Sequence, residues 1–131
     1  MSKPIHQSIT FEATPERVYA AYMNPALRAQ YTEGETEISG DEGGAFSCHG
    51  GQIVGRNIEL VPGQRIVQAW RVSGWPEGLY TTVHFELSAS EGGTELVMDH
   101  YGVPDEFEEH IAGGWHARYW DPMRTFLAAT A

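Results

Sequence analysis

Cysteine is nearly absent from this chain. Cys48 stands alone among 131 residues, so no disulfide can close within it, which suits a reducing cytosol. Positive charge is scarce as well. Eight Lys and Arg against 18 Asp and Glu leave a net charge of −10, which argues against nucleic acid and anionic membrane as partners. The acidity reads as a device for solubility. No apolar run is long enough to span a bilayer, and Met1-Ser2-Lys3-Pro4 leads into an alternating segment without a signal-peptide core. A cytoplasmic protein is expected. No repeat, linker or low-complexity tract divides the chain, so residues 1–131 read as one domain.

The familiar motifs of chemistry are missing too. His6, His49, His84, His100, His110 and His116 form no metal-ligand spacing, and the last two lie on different sides of a helix. There is no Gly-x-Ser-x-Gly elbow, phosphate-cradling loop or dinucleotide fingerprint. Cys48 and His49 are strand neighbours pointing to opposite faces, so they make no nucleophilic pair, and Cys48 reads as a buried, inert thiol. No metal, cofactor or catalytic residue is expected.

What the chain does contain is alternation, punctuation and one aromatic helix. Ile5, Gln7, Ile9 and Phe11 alternate with polar residues in a first strand. Thr14-Pro15 and Asn24-Pro25 then read as caps of two short helices. From Glu35 to Tyr101, Gly and Pro separate short strands at Thr36–Ile38, Ala45–Cys48, Gln52–Leu60, Gln64–Val72, Leu79–Leu87 and Thr94–Tyr101. Loops this short make neighbours antiparallel. Val83, Phe85, Leu96 and Met98 fall on the faces that look towards the helix.

Pro104 opens that helix, with Asp105, Glu106, Glu108 and Glu109 at its positive end. At 100° per residue, Phe107, Ile111, Trp115, Tyr119, Met123 and Phe126 form one apolar stripe, and Arg118 lies inside it. Trp120 falls on the opposite side, facing the short helices or a second subunit. Gly113-Gly114 allows a close backbone approach or leaves open space, and Pro122 predicts a kink, or a break with Asp121 as a new cap.

Strand, two short helices, a six-stranded meander and a long helix are the order of the helix-grip fold of the START-like (SRPBCC) superfamily. Closer resemblance is carried by Ile9-Thr10-Phe11-Glu12-Ala13-Thr14-Pro15-Glu16-Arg17-Val18-Tyr19, Gly43-Gly44-Ala45-Phe46-Ser47, Gly55 with Glu59-Leu60-Val61-Pro62, and Ile66-Val67-Gln68-Ala69-Trp70-Arg71. Gly93-Thr94-Glu95-Leu96, His100-Tyr101-Gly102-Val103-Pro104 and Gly114-Trp115 complete it. Together they resemble the C-terminal domain of the activator of heat-shock-protein-90 ATPase, in its short stand-alone bacterial form.

That resemblance implies an α+β domain, with a curved antiparallel sheet of six to seven strands wrapped around the C-terminal helix. It also implies a cavity between sheet and helix. The first functional reading is therefore a binding protein for a small apolar or amphipathic ligand. The candidate contacts are Trp70, Val83, Phe85, Leu96, Met98, His100, Ile111, Trp115 and Tyr119. His100 shares a face with Leu96 and Met98 and is placed near the cavity mouth, as a ligand contact, a general base or a core histidine. The second reading is a stress-related co-chaperone of a heat-shock-protein-90 homologue. The third is a cyclase- or hydrolase-like enzyme using His100 with Arg118 or Glu59. The chain could act as a monomer or a homodimer.

Overall fold

The computed structural model describes residues 4–32 and 35–129. Seven strands form one antiparallel sheet: β1 (Ile5–Phe11), β2 (Glu37–Ile38), β3 (Ala45–Cys48), β4 (Ile53–Val61), β5 (Arg65–Val72), β6 (Thr81–Ser90) and β7 (Gly93–Tyr101). Their spatial order is β1-β7-β6-β5-β4-β3-β2, so only β1 leaves the sequential meander, crossing to pair with β7 from Ile5↔His100 to Phe11↔Thr94. Two helices fill the crossover, α1 (Pro15–Met23) and α2 (Pro25–Arg28). Thr14 accepts the Arg17 N–H, and Asn24 Oδ1 accepts from Ala26 and Leu27, so both predicted caps are in place.

The strand boundaries move in one informative place. β6 starts at Thr81 rather than Leu79 and runs on to Ser90, because Ser90 still pairs with Gly93 across a two-residue turn. A bulge between Asn57 and Glu59 shifts the β4–β5 register. Gly55 has a packing reason: a Cβ there would run into the Ala69 carbonyl of the neighbouring strand.

One face of the sheet is buried. Thr81, Val83, Phe85 and Leu87 of β6, and Thr94, Leu96, Met98 and His100 of β7, all point into the core. Over them lies a continuous helical rod of three parts: α3 (Asp105–Trp115), a π-helical turn (His116–Trp120) and α4 (Asp121–Ala129). No described helix is long and apolar enough to cross a membrane.

The π turn corrects the expectation for Trp120. A wider turn adds a residue to the helical repeat and shifts the phase downstream. Trp120 thereby joins Tyr119 inside the core, fully buried, with its ring stacked on Trp115 at 5.3 Å. Arg118 is turned out to the surface instead of lying in the apolar stripe. Gln7 of β1 secures the irregular segment at both ends, donating to the Ala112 carbonyl (3.0 Å) and accepting from Trp120 Nε1 (2.7 Å). The predicted break at Pro122 is thus absorbed one turn earlier, and the rod stays continuous. Gly113 and Gly114 make no close backbone approach, since a Cβ at either would meet open space.

Candidate functional site

All nine residues expected around a cavity are buried, and they divide into two groups. Trp70, Ile111, Trp115 and Tyr119 border an open space beneath α3, whereas Val83, Phe85, Leu96, Met98 and His100 do not line it. The space is small, about 60 Å³. That is room for about two waters at ~30 Å³ each, well short of the ~300 Å³ at which ligand pockets begin. Aromatic rings fill the remainder. Trp115 contacts Trp70 (5.7 Å), Phe85 (5.7 Å), Tyr119 (4.8 Å) and Trp120 between ring centres, and Tyr22 from α1 packs edge-on against Phe85 at 4.8 Å. The phase shift that brings Trp120 inward supplies the volume that fills this interior.

His100 is fully buried in the core and does not line the chamber. Trp115 Nε1 donates to its Nδ1 (3.1 Å), so the ring proton sits on Nε2, 2.7 Å from Thr81 Oγ1. The Thr81 hydroxyl in turn donates to the Trp70 carbonyl at 2.8 Å. Burial in this apolar setting pushes the His100 pKa down to about 3. The imidazole is neutral, and both its nitrogens are engaged. Glu59 lies elsewhere, paired with Arg65 at 3.0 Å on the sheet, so His100, Glu59 and Arg118 do not converge.

A larger opening adjoins the small chamber. This cleft of about 570 Å³ is lined by Tyr31, Thr32, His49, Gln52, Ala117, Arg118 and Pro122. It shares Gln52 and Arg118 with the inner chamber, whose other walls are Ile53, Trp70, Val72, His110, Ile111, Gly114, Trp115 and Tyr119. His49 belongs to a 3₁₀ turn (His49–Gly51) and has φ = 54°, the sole positive φ of a non-glycine among the described residues. Histidine is, with Asn and Asp, one of the non-glycine residues found more often in that region.

Behind this cleft is a group that periodicity could not reveal. Arg28, on the last turn of α2, is fully buried, whereas Leu27, the apolar residue beside it, is half-exposed. Its Nη1 donates to the Tyr22 carbonyl (3.1 Å) and its Nη2 to the Tyr119 hydroxyl (2.7 Å). The guanidinium also lies over the Tyr22 and Tyr119 rings, 4.4 and 4.7 Å from their centres. Burial opposes the charge, and the neighbouring Tyr119 and Tyr22 outweigh it, holding the Arg28 pKa above its ordinary value. No carboxylate pairs with it among the described residues, and its Nε has no hydrogen-bond partner. The Tyr119 oxygen, engaged by Arg28, lies 2.9 Å from His49 Nε2. The chain Arg28–Tyr119–His49 therefore runs from the core to the cleft. Cys48, beside it, is buried, and its thiol pKa is raised by that burial.

A curved antiparallel sheet gripping a C-terminal helical rod, with two short helices in the first crossover, defines a START-like helix-grip protein. Residues 12–128 match the family described as Activator of Hsp90 ATPase homolog 1-like protein, and the chain belongs to that family. It is 32% identical over 115 residues to the human activator of 90 kDa heat shock protein ATPase homolog 1, covering 88% of this chain and 34% of that protein. It thus spans about a third of the length of that curated relative. A solved structure described as an HSP90 activator from Plasmodium falciparum superimposes with a TM-score of 0.89 at 23% identity, over 97% of both chains. The Aha1 dimer from Colwellia psychrerythraea gives 0.83 at 19% identity, over 96% of both.

Proposed function

We propose that this chain is a cytoplasmic co-chaperone that binds an Hsp90-type chaperone and stimulates its ATPase. The observation that carries this reading is family membership over residues 12–128. An interior already occupied by Trp115, Trp120, Tyr22 and Phe85 favours work through the outer surface over carriage of a cargo under the helix. The test is steady-state ATP hydrolysis by a purified Hsp90-family chaperone from the same cell, with the chain titrated in. A saturable, several-fold rise in rate is expected. An unaltered rate, with no complex by analytical ultracentrifugation, would overturn the proposal.

A second reading is binding of a small amphipathic molecule, and one feature favours it. The cleft beside His49 continues into the apolar chamber beneath Gly114, so a ligand has an entrance and an apolar end, though not the broad cavity expected between sheet and helix.

A further inference from the structure

We propose that the cleft between the His49–Gly51 turn and the π turn binds a small organic anion, a short-chain carboxylate whose head lies between Arg118 and His49. This rests on the small-ligand reading of the cleft and names the chemical class; it does not depend on the chaperone reading.

Shape restricts the ligand first. The inner chamber admits only a few carbon atoms, and its Ile53, Val72 and Ile111 walls suit an unbranched apolar tail. The outer cleft is mainly polar. Arg118 and Gln52 stand at the junction, where a head group joined to such a tail would sit.

Charge restricts it next. The molecule carries −10, yet no Asp or Glu lines the cleft or the chamber among the described residues. Arg118 stands on the wall, and behind Tyr119 lies Arg28, a buried cation without a carboxylate partner among the described residues. A cleft backed by a low-dielectric core concentrates the field of such a charge. Arg28 also holds the Tyr119 hydroxyl from within, which fixes the wall that His49 leans on. The Arg28 guanidinium carbon lies over both the Tyr22 and Tyr119 rings, away from solvent.

Head-group chemistry gives the sign of the charge. A carboxylate offers acceptors only, whereas an ammonium would face Arg118 with like charge.

The test uses butanoate, 1-butanol and butylammonium, three probes with one tail and different heads, each titrated into the full chain by ¹H–¹⁵N NMR. Butanoate is expected to shift the amides of Gln52, Gly114, Ala117 and Arg118, and to bind at least tenfold more tightly than 1-butanol. Butylammonium should leave these amides unmoved. Arg118→Gln should bring butanoate down to the level of 1-butanol while leaving the rest of the spectrum in place. Tyr119→Phe, which removes the hydroxyl linking Arg28 to His49, should weaken butanoate and leave 1-butanol unchanged. Equal binding of butanoate and 1-butanol at these amides would overturn the anion assignment and leave the small-ligand reading standing. Absence of shifts there with all three probes up to their solubility limits would overturn both. Butanoate shifts confined to other surfaces would show adventitious pairing with scattered cations and would likewise remove the site.

Discussion

At the scale of single residues, the polar groups that matter are the ones the core has neutralised or enclosed. His100 is the clearest case. In an unfolded chain its imidazole titrates near 6.5, and in the folded protein near 3. Between those values the unfolded state binds a proton that the folded state refuses, so this contribution to stability is complete above pH 6.5 and is lost as pH falls towards 3. The loss approaches about 1.4 kcal/mol per pH unit below the unfolded value and comes to about 1.6 kcal/mol between pH 6.5 and 5. Urea unfolding of the parent and of His100→Gln, at pH 7 and at pH 5, measures it. The parent should lose more stability on acidification than the variant, and parallel losses would show that His100 is not the titrating group. His100 could be placed on the inward face from alternation with Leu96 and Met98, because a strand has a period of two. That Trp115 and Thr81 would occupy both its nitrogens could not, since those partners come from a helix and a separate strand. Arg28 was less legible still. Its burial depends on the Tyr119 hydroxyl and ring, 91 positions away in the chain, together with the Tyr22 carbonyl and ring, and a residue-type rule assigns the inward position to Leu27.

The elements were legible wherever one period persists. β6 and β7 alternate, both short helices carry their caps, and the stripe from Phe107 to Phe126 follows the α-helical repeat as far as Trp115. The repeat fails at the π turn, where a different hydrogen-bond span changes the phase by one residue. Pro122 signals an irregularity but not its form, so a uniform helical repeat places Trp120 on the wrong side and Arg118 in the buried stripe. This makes the π turn testable by stability. Trp120→Ala should cost about 3–5 kcal/mol, the loss typical of a buried Trp, with denaturant midpoints as the readout. In an uninterrupted α-helix the same side chain would stand on the outer face, and its removal would be almost neutral. Gly113→Ala is the control on the same rod. With open space at its Cβ, it should stabilise by about 0.5–1 kcal/mol through helix propensity alone. A neutral Trp120→Ala would mean that the turn does not hold the indole inward.

For the molecule as a whole, the sheet order and the gripped helix were available from element order, because short loops force neighbouring strands together. The fill of the interior was not. It depends on the sum of side-chain volumes after the π turn has added an indole and α1 has added Tyr22, a three-dimensional quantity that no local pattern encodes. The same packing makes the chain's two ends interdependent. β1 closes the sheet against β7, and through Gln7 it holds the Ala112 carbonyl of α3 and the Trp120 indole N–H of the π turn, while Arg124 of α4 donates to the Thr10 carbonyl at 3.4 Å. Removing residues 1–11 would therefore strip β7 of its partner, leave the Trp120 indole N–H buried without an acceptor, and open the edge of the core beside Leu96 and Met98. Each loss falls on a different layer, yet all pass through one strand. The truncated chain should show no cooperative thermal transition by circular dichroism and should expose its tryptophans, with emission shifted to the red. A truncated chain that kept a sharp transition would mean that β1 adds to the fold without holding it, and that the remaining contacts of the helical rod, such as Trp115 with His100 and Tyr119 with Arg28 and His49, are enough to secure it.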